Sequence, residues 1–318
     1  MTRHTYDMGI VGNCAYLAHV DTLARVRWLC LPRFDSSSVF GDLLDEERGG
    51  TLAVTGVEAA PIRQRYVWNT NVLETVVRVR DGVLKVTDCA PRFEQYGRVN
   101  RPLMLIRKIE PIESAPRVRI MCRPRGDYGA LQPRVAAQSN HVRYDLGEQV
   151  VRLTTDVPIS YIVDERPFVL AETAYVILTW GVRLEASLAA TAEAFIQRTV
   201  EYWQSWCRRC AIGRFYQGDV IRSALVLKLH QYEDTGAIIA SGTTGLPEFP
   251  GSGRTWDYRY CWLRDAHFCL TAFNRLGQFG EMQRFAKFIE NIAASAAKNR
   301  YPPRSEEHTS ELQSLTNL

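Results

Sequence analysis

Residues 72–88 read VLETVVRVRDGVLKVTD, and this stretch decides the fold of the first half of the chain. Apolar and polar residues alternate over 72–80, which sets Leu73, Thr75, Val77 and Val79 on one side, because neighbouring side chains of a strand point to opposite faces. Asp81-Gly82 follows, and then a second run over 83–88. An Asp-Gly link between alternating runs predicts a two-residue hairpin, since both turn positions need positive φ. Similar runs at 103–109, 117–122, 150–155 and 175–180, with another turn at Gly147-Glu148, extend the pattern. Short strands at this density predict an antiparallel β-sandwich. The same runs also fit unrelated strands of an α+β domain.

Outward from there the period changes. Near residue 185, Leu188, Ala192, Phe195, Thr199, Tyr202, Trp206 and Cys210 recur at steps of three and four, one face of a long amphipathic helix. Thr191, Glu193, Gln197, Arg198 and Arg209 fall off that face, and Gly213 stands where a helix would stop. Further helices are predicted over 217–232 (Ile221, Leu225, Leu229 and Tyr232 in register), 265–276 before Gly277, and about 280–298. Strands followed by helices mark a multidomain α+β chain. The boundaries expected are 1–184 for the strand-rich domain, 185–212 for a linker helix and 213–303 for a helical domain.

The 318 residues exceed one ordinary core. With 46% hydrophobic and 23% charged residues the chain reads as soluble and globular, and a net charge of +4 gives no nucleic-acid footprint. No run approaches a membrane span and no leader stands at the start, so a cytoplasmic location is expected, with no membrane partner. The eight cysteines are spread through apolar segments as small hydrophobes. Cys207 and Cys210 have the spacing of half a zinc site, but no second pair follows, and neither a metal nor a cofactor is expected.

The chemistry concentrates in RTWDYRYCWLRD (254–265). If extended, it places Trp256, Tyr258, Tyr260 and Trp262 on one side, alternating with Asp257, Arg259, Cys261 and Leu263, and it delivers Arg264 and Asp265 to the start of a helix. A sugar ring needs such a surface. Its C–H faces pack on aromatic rings, while an Arg fork donates to its hydroxyls and an Asp accepts from them. On the residues alone, an aromatic core segment with Arg259 or Arg264 paired to Asp257 is an equal reading.

These segments also carry a resemblance. GNCAYLAHVD (12–21), RVRWLCLPRFDSSSVFGDLLD (25–45), EYWQSWCRRC (201–210), IRSALVLKLHQYEDTGAIIASGTTGLPE (221–248) and RTWDYRYCWLRDA (254–266) resemble, in order, the bacterial family 15 glycoside hydrolases of the glucoamylase and trehalase-like group. The resemblance covers nearly all of this chain and about the first half of a typical member. It implies a trehalase-like β-sandwich, a linker helix and the first helices of an incomplete (α/α)6 barrel. It further implies that Tyr258, Trp262, Arg264 and Asp265 hold the terminal glucose of an α-linked oligosaccharide or disaccharide. Trp256, Asp257, Arg259 and Tyr260 belong to the same motif, some of them as supports. The chain departs from the family at Phe249–Gly253, usually more acidic with paired glycines, and at Gly245, usually Ser.

The implied parent is an inverting exo-acting α-glucoside hydrolase. One carboxylic acid protonates the leaving oxygen, and a carboxylate roughly 6.5–9.5 Å away activates a water. In the family both glutamates lie later in the barrel, so no catalytic residue is assigned here, Glu248 included, and this chain alone is expected to be inactive. A non-catalytic carbohydrate-binding or interaction module, and a phosphorylase on a related scaffold, are the alternatives. Specificity among glucoamylase, trehalase and glucodextranase, and oligomeric state, are not legible. The last residues, RSEEHTSELQSLTNL (304–318), are polar, follow Pro302-Pro303, and resemble a translated sequencing-adapter oligonucleotide, so a non-native tail is expected there.

Overall fold

The computed structural model describes residues 6–147, 149–184, 186–247, 249 and 251–299. The expected tail at 304–318, Glu148 of the second turn and Glu248 lie outside the described residues. The chain divides into two compact units, Met1–Gln204 and Ser205–Leu318.

The first unit is built from strands. In chain order they are β1 (Met8–Gly12), β2 (Leu17–Asp21), β3 (Val26–Cys30), β4 (Ser38–Phe40), β5 (Leu52–Thr55), β6 (Ala60–Tyr66), β7 (Leu73–Val79) and β8 (Gly82–Cys89). Then come β9 (Phe93–Gln95), β10 (Arg98–Asn100), β11 (Met104–Ser114), β12 (Arg117–Cys122), β13 (Arg134–Ala137), β14 (His141–Leu146) and β15 (Gln149–Thr155). A single helical turn, α1 (Ile159–Val163), precedes β16 (Phe168–Val169) and β17 (Ala174–Trp180).

Among the described residues one large sheet has the order β1-β2-β3-β5-β12-β16, with β4 beside β3, and the other β13-β14-β15-β17-β11-β8-β7-β6, antiparallel throughout. The sheets meet through a buried polar tie. Arg107 of β11 is ion-paired with Asp88 of β8 at 2.6 Å, both side chains 0% exposed. Its guanidinium also donates to the carbonyls of Leu52 (3.1 Å) and Ala24 (2.5 Å). Antiparallel sheets with such a shared interior are consistent with the expected sandwich.

The opening stretch forms the β7–β8 hairpin, shifted by one residue. Val79 pairs with Gly82, so the two turn residues are Arg80 and Asp81, and Gly82 already belongs to the ladder. The cause is non-local. A Cβ on Gly82 would stand 2.3 Å from the carbonyl oxygen of Glu113 on β11, so the glycine serves strand packing rather than the turn. The second hairpin has Leu146 paired with Gln149, with Gly147 at φ 75°.

At one border of the eight-stranded sheet, β6 pairs, among the described residues, only with β7, slips register between Pro61 and Arg63, and exposes Pro61, Arg63 and Arg65.

Over the outer face of this sheet, Val72, Cys89, Met104, Ile106, Tyr175 and Ile177 pack with Ala192, Leu188, Phe195, Ile196 and Val200, residues of α2 (Leu188–Arg208). Glu193 accepts from Tyr175 Oη at 2.5 Å and pairs with Lys108 at 2.7 Å. The helix ends at Arg208, short of Gly213. Its buried arc also takes in Trp203, which the three-four spacing leaves out.

The second unit contains α3 (Gln217–Leu229), α4 (Leu263–Arg275) and α5 (Phe279–Asn299). The helix expected over 217–232 stops at Leu229, because the next residues turn back: Tyr232 N–H donates to Ala237, and Gln231 bridges to Ile238. α4 closes as the sequence expects. Gly277, at φ 71°, donates to the Asn274 carbonyl and Gln278 to that of Phe273, a left-handed glycine cap. Lys228, buried on α3, pairs with Glu281 of α5 at 2.8 Å.

Candidate functional site

Residues 254–262 do not form the extended segment expected; they form a loop with a turn at Tyr258-Arg259. Asp257 makes the turn. Its Oδ1 accepts from the Arg259 N–H and Nε, both at 3.0 Å, and its Oδ2 from Nη2 at 2.7 Å. The side chains of Arg259 and Asp257 are 3% and 24% exposed, a part-buried pair. A second segment backs the loop: Ala240 donates to the Tyr260 carbonyl at 3.1 Å and Ser241 to that of Tyr258 at 2.8 Å.

The turn gathers aromatics that a strand would have spread out. Trp262 meets Tyr258 with ring centroids 5.6 Å apart and Trp256 edge-on at 6.2 Å and 86°. Trp262 Nε1 donates to the Asp257 carbonyl at 3.3 Å, which ties the ring to the turn. Trp256 remains 45% exposed. Tyr260 lends its carbonyl to Ala240.

Trp262 is also the N-cap of α4, in extended conformation. The helix therefore begins at Leu263, two residues before the expected Asp265. Arg264 and Asp265 occupy its first turn, where a carboxylate is favoured by the helix dipole. Arg264 Nη2 lies 3.3 Å from Asp265 Oδ2, and the side chains are 56% and 36% exposed. Such a pair adds little to stability. It does leave donors and an acceptor open to solvent beside a cluster of aromatic rings.

The neighbouring thiol is held in its protonated form. Burial pushes Cys261 up to about 11, so it stays protonated at neutral pH. Burial pushes Cys207 up to about 12, and Cys210 Sγ accepts from Gln278 Nε2 at 3.2 Å. Neither is in a disulfide. Among the described residues, no group of three or more His, Cys, Asp or Glu could hold a metal ion, and no helix is long and apolar enough to cross a membrane.

Two features lay beyond the reach of sequence reasoning. The segment 240–246 lies inside the stretch 221–248 that carries the resemblance, but nothing in its pattern places it behind the loop or presses its Gly245 on Thr255 and Trp256. A run of Gly and Thr before the motif is the one local hint of a close backbone approach.

Residues 3–179 match the family model described as "Trehalase-like, N-terminal". Residues 215–314 match that of "Glycosyl hydrolases family 15". A trehalase of Thermoplasma volcanium is 28% identical over 87% of this chain and 45% of its own length. A trehalase of Mycolicibacterium smegmatis is 29% identical over 93% of this chain and 48% of its own. One from Mycobacterium tuberculosis is 30% identical over 89% and 45%. The chain thus spans about half the length of the curated relatives it matches. With more than half of its residues (3–179) matching the trehalase-like N-terminal family and residues 215–314 matching glycosyl hydrolases family 15, the chain belongs to the trehalase-like group of that family.

Proposed function

We propose that this chain supplies the glucose-gripping part of an inverting α-glucoside hydrolase whose substrate is trehalose or a similar α-linked disaccharide. The observation that carries the reading is the solvent-open Arg264–Asp265 tip beside the Trp256–Tyr258–Trp262 cluster. The rings take the C–H face of the terminal glucose, the Arg264 fork donates to its hydroxyls, and Asp265 accepts from them. Asp257 and Arg259 are supports that hold the turn. The trehalase names of the relatives favour a disaccharide over a long glucan.

In this reading α3, α4 and α5 begin an (α/α)6 barrel, with domains at 1–184 and 213–303 joined by a linker helix over 185–212. The acid and base carboxylates of an inverting reaction come from the part of the relatives' length that this chain does not span. The 318 residues alone then bind sugar without turning it over.

The test is a titration of the chain with trehalose and maltose, followed by tryptophan fluorescence. Saturable binding of trehalose, weakened about tenfold or more in Asp265→Ala, supports the reading. Equal signals in wild type and Asp265→Ala would sink it, and glucose release from trehalose by the purified chain, lost in Asp265→Ala, would overturn the inactivity claim.

A further inference from the structure

Gly245 is a glycine that no backbone angle demands. It is not among the glycines with positive φ. Space favours it in this chain, at a position where the resembled family usually has Ser. A Cβ built there would stand 3.0 Å from Thr255 Cβ, 3.1 Å from the Trp256 carbonyl oxygen and 3.3 Å from Trp256 N. Comfortable contact between carbon atoms begins at about 3.5 Å. Two of these three atoms belong to the main chain of Trp256, which no rotamer change moves. Any side chain at 245 therefore displaces the Thr255–Trp256 backbone by a few tenths of an ångström.

On its C-terminal side that backbone is held. Just beyond it the chain is tied at Asp257 by Arg259, and at Tyr258 and Tyr260 by the amides of Ser241 and Ala240. The displacement falls on Trp256, whose ring stands edge-on to Trp262. Edge-to-face pairs depend on centroid distance and angle.

We infer that Gly245 is a positioning residue. By leaving out its side chain it lets the 241–246 segment close on Trp256, and so sets where that ring stands against Trp262 and how well the pair receives a sugar face. The last clause rests on the proposed carbohydrate function; the placement of Trp256 does not.

The experiment therefore reads the two separately, on the 318-residue chain. Edge-on tryptophans produce an exciton couplet in circular dichroism, and a wild-type minus Trp256→Phe difference spectrum isolates the part that belongs to Trp256. Gly245→Ala is expected to weaken that couplet measurably while keeping the secondary-structure signal and melting temperature of the wild type. The double variant Gly245→Ala, Thr255→Gly removes the nearest clashing atom and is expected to regain part of it. Trehalose affinity is expected to fall about tenfold in Gly245→Ala and recover in the same order. A wild-type couplet in Gly245→Ala overturns the inference. So does a weakened couplet that the double variant leaves unchanged. If the couplet behaves as expected but the wild-type chain binds no trehalose, the positioning role stands and the carbohydrate reading falls.

Discussion

Lys228 Nζ lies 2.8 Å from Glu281 Oε2, with side chains 1% and 10% exposed. The pair joins α3 to α5 across 53 residues and belongs to a larger net. Gln231 Oε1 accepts from Lys228, Gln231 Nε2 donates to the Glu281 carbonyl, and Trp206 Nε1 donates to Glu281 Oε1. Lys228→Met removes the buried cation that Glu281 shares with Glu233 and leaves them the half-exposed Arg284, 3.7 Å from Glu281 Oε2. The expected loss is about 3–5 kcal/mol, read as a lower denaturation midpoint of the second unit. A wild-type midpoint would show that the net carries no stability.

The Arg107–Asp88 pair is the same device inside the first unit, with both side chains sealed from water. Asp88→Asn is expected to cost about 3–5 kcal/mol. The double replacement Arg107→Met, Asp88→Leu is expected to cost less than the single, since it buries no lone charge. Urea unfolding of the three proteins gives the order.

Asp42 predicts a pH dependence. Burial raises its carboxyl to about 6, against the opposing pull of Arg27, whose Nε donates to it at 2.5 Å. An unfolded aspartate titrates near about 3.9. Between these values the folded state holds the proton more tightly. The contribution of Asp42 is therefore complete below about pH 4 and is lost as pH rises through about 6. Against Asp42→Asn, which does not titrate, the wild type should gain relative stability as pH falls from about 7 to 4.5. A difference that is flat with pH would refute the assignment.

Asp257→Asn tests the turn under the aromatic cluster. It weakens the pair to Arg259, which is 3% exposed, and is expected to destabilise the second unit by about 2–3 kcal/mol. The Trp262 ring is tied to the same residue, so its fluorescence should shift towards that of a water-exposed indole. Melting and emission spectra on one sample check both.

The local parts of this architecture were legible in the sequence. Alternation in 72–88 placed β7 and β8, and Gly277 ended α4 where a left-handed cap belongs. Errors arose where a distant partner decides. The hairpin slid by one residue because Glu113 crowds Gly82. The helix at 217 stopped early because Gln231 and Tyr232 find partners in a returning segment. Trp203 was missed because the buried arc of α2 is wider than the single stripe its spacing draws. At the candidate site the residue types were legible and their arrangement was not. Alternation in 256–262 reads as a strand, but Asp257 captures the main chain of Arg259 and folds it into a turn. The segment that backs that turn was noted for its resemblance, but nothing in its pattern says where it lies.

The border strand β6 has a consequence for handling and for the cell. Proline offers no amide hydrogen, the ladder is out of step beside it, and charge stands at the water, Arg63 and an Arg65 paired with Glu74. Another polypeptide arriving there finds neither a continuous row of donors and acceptors nor a neutral surface. Growth of a fibril by stacking along this rim is thereby discouraged, even in a crowded solution of partly opened molecules.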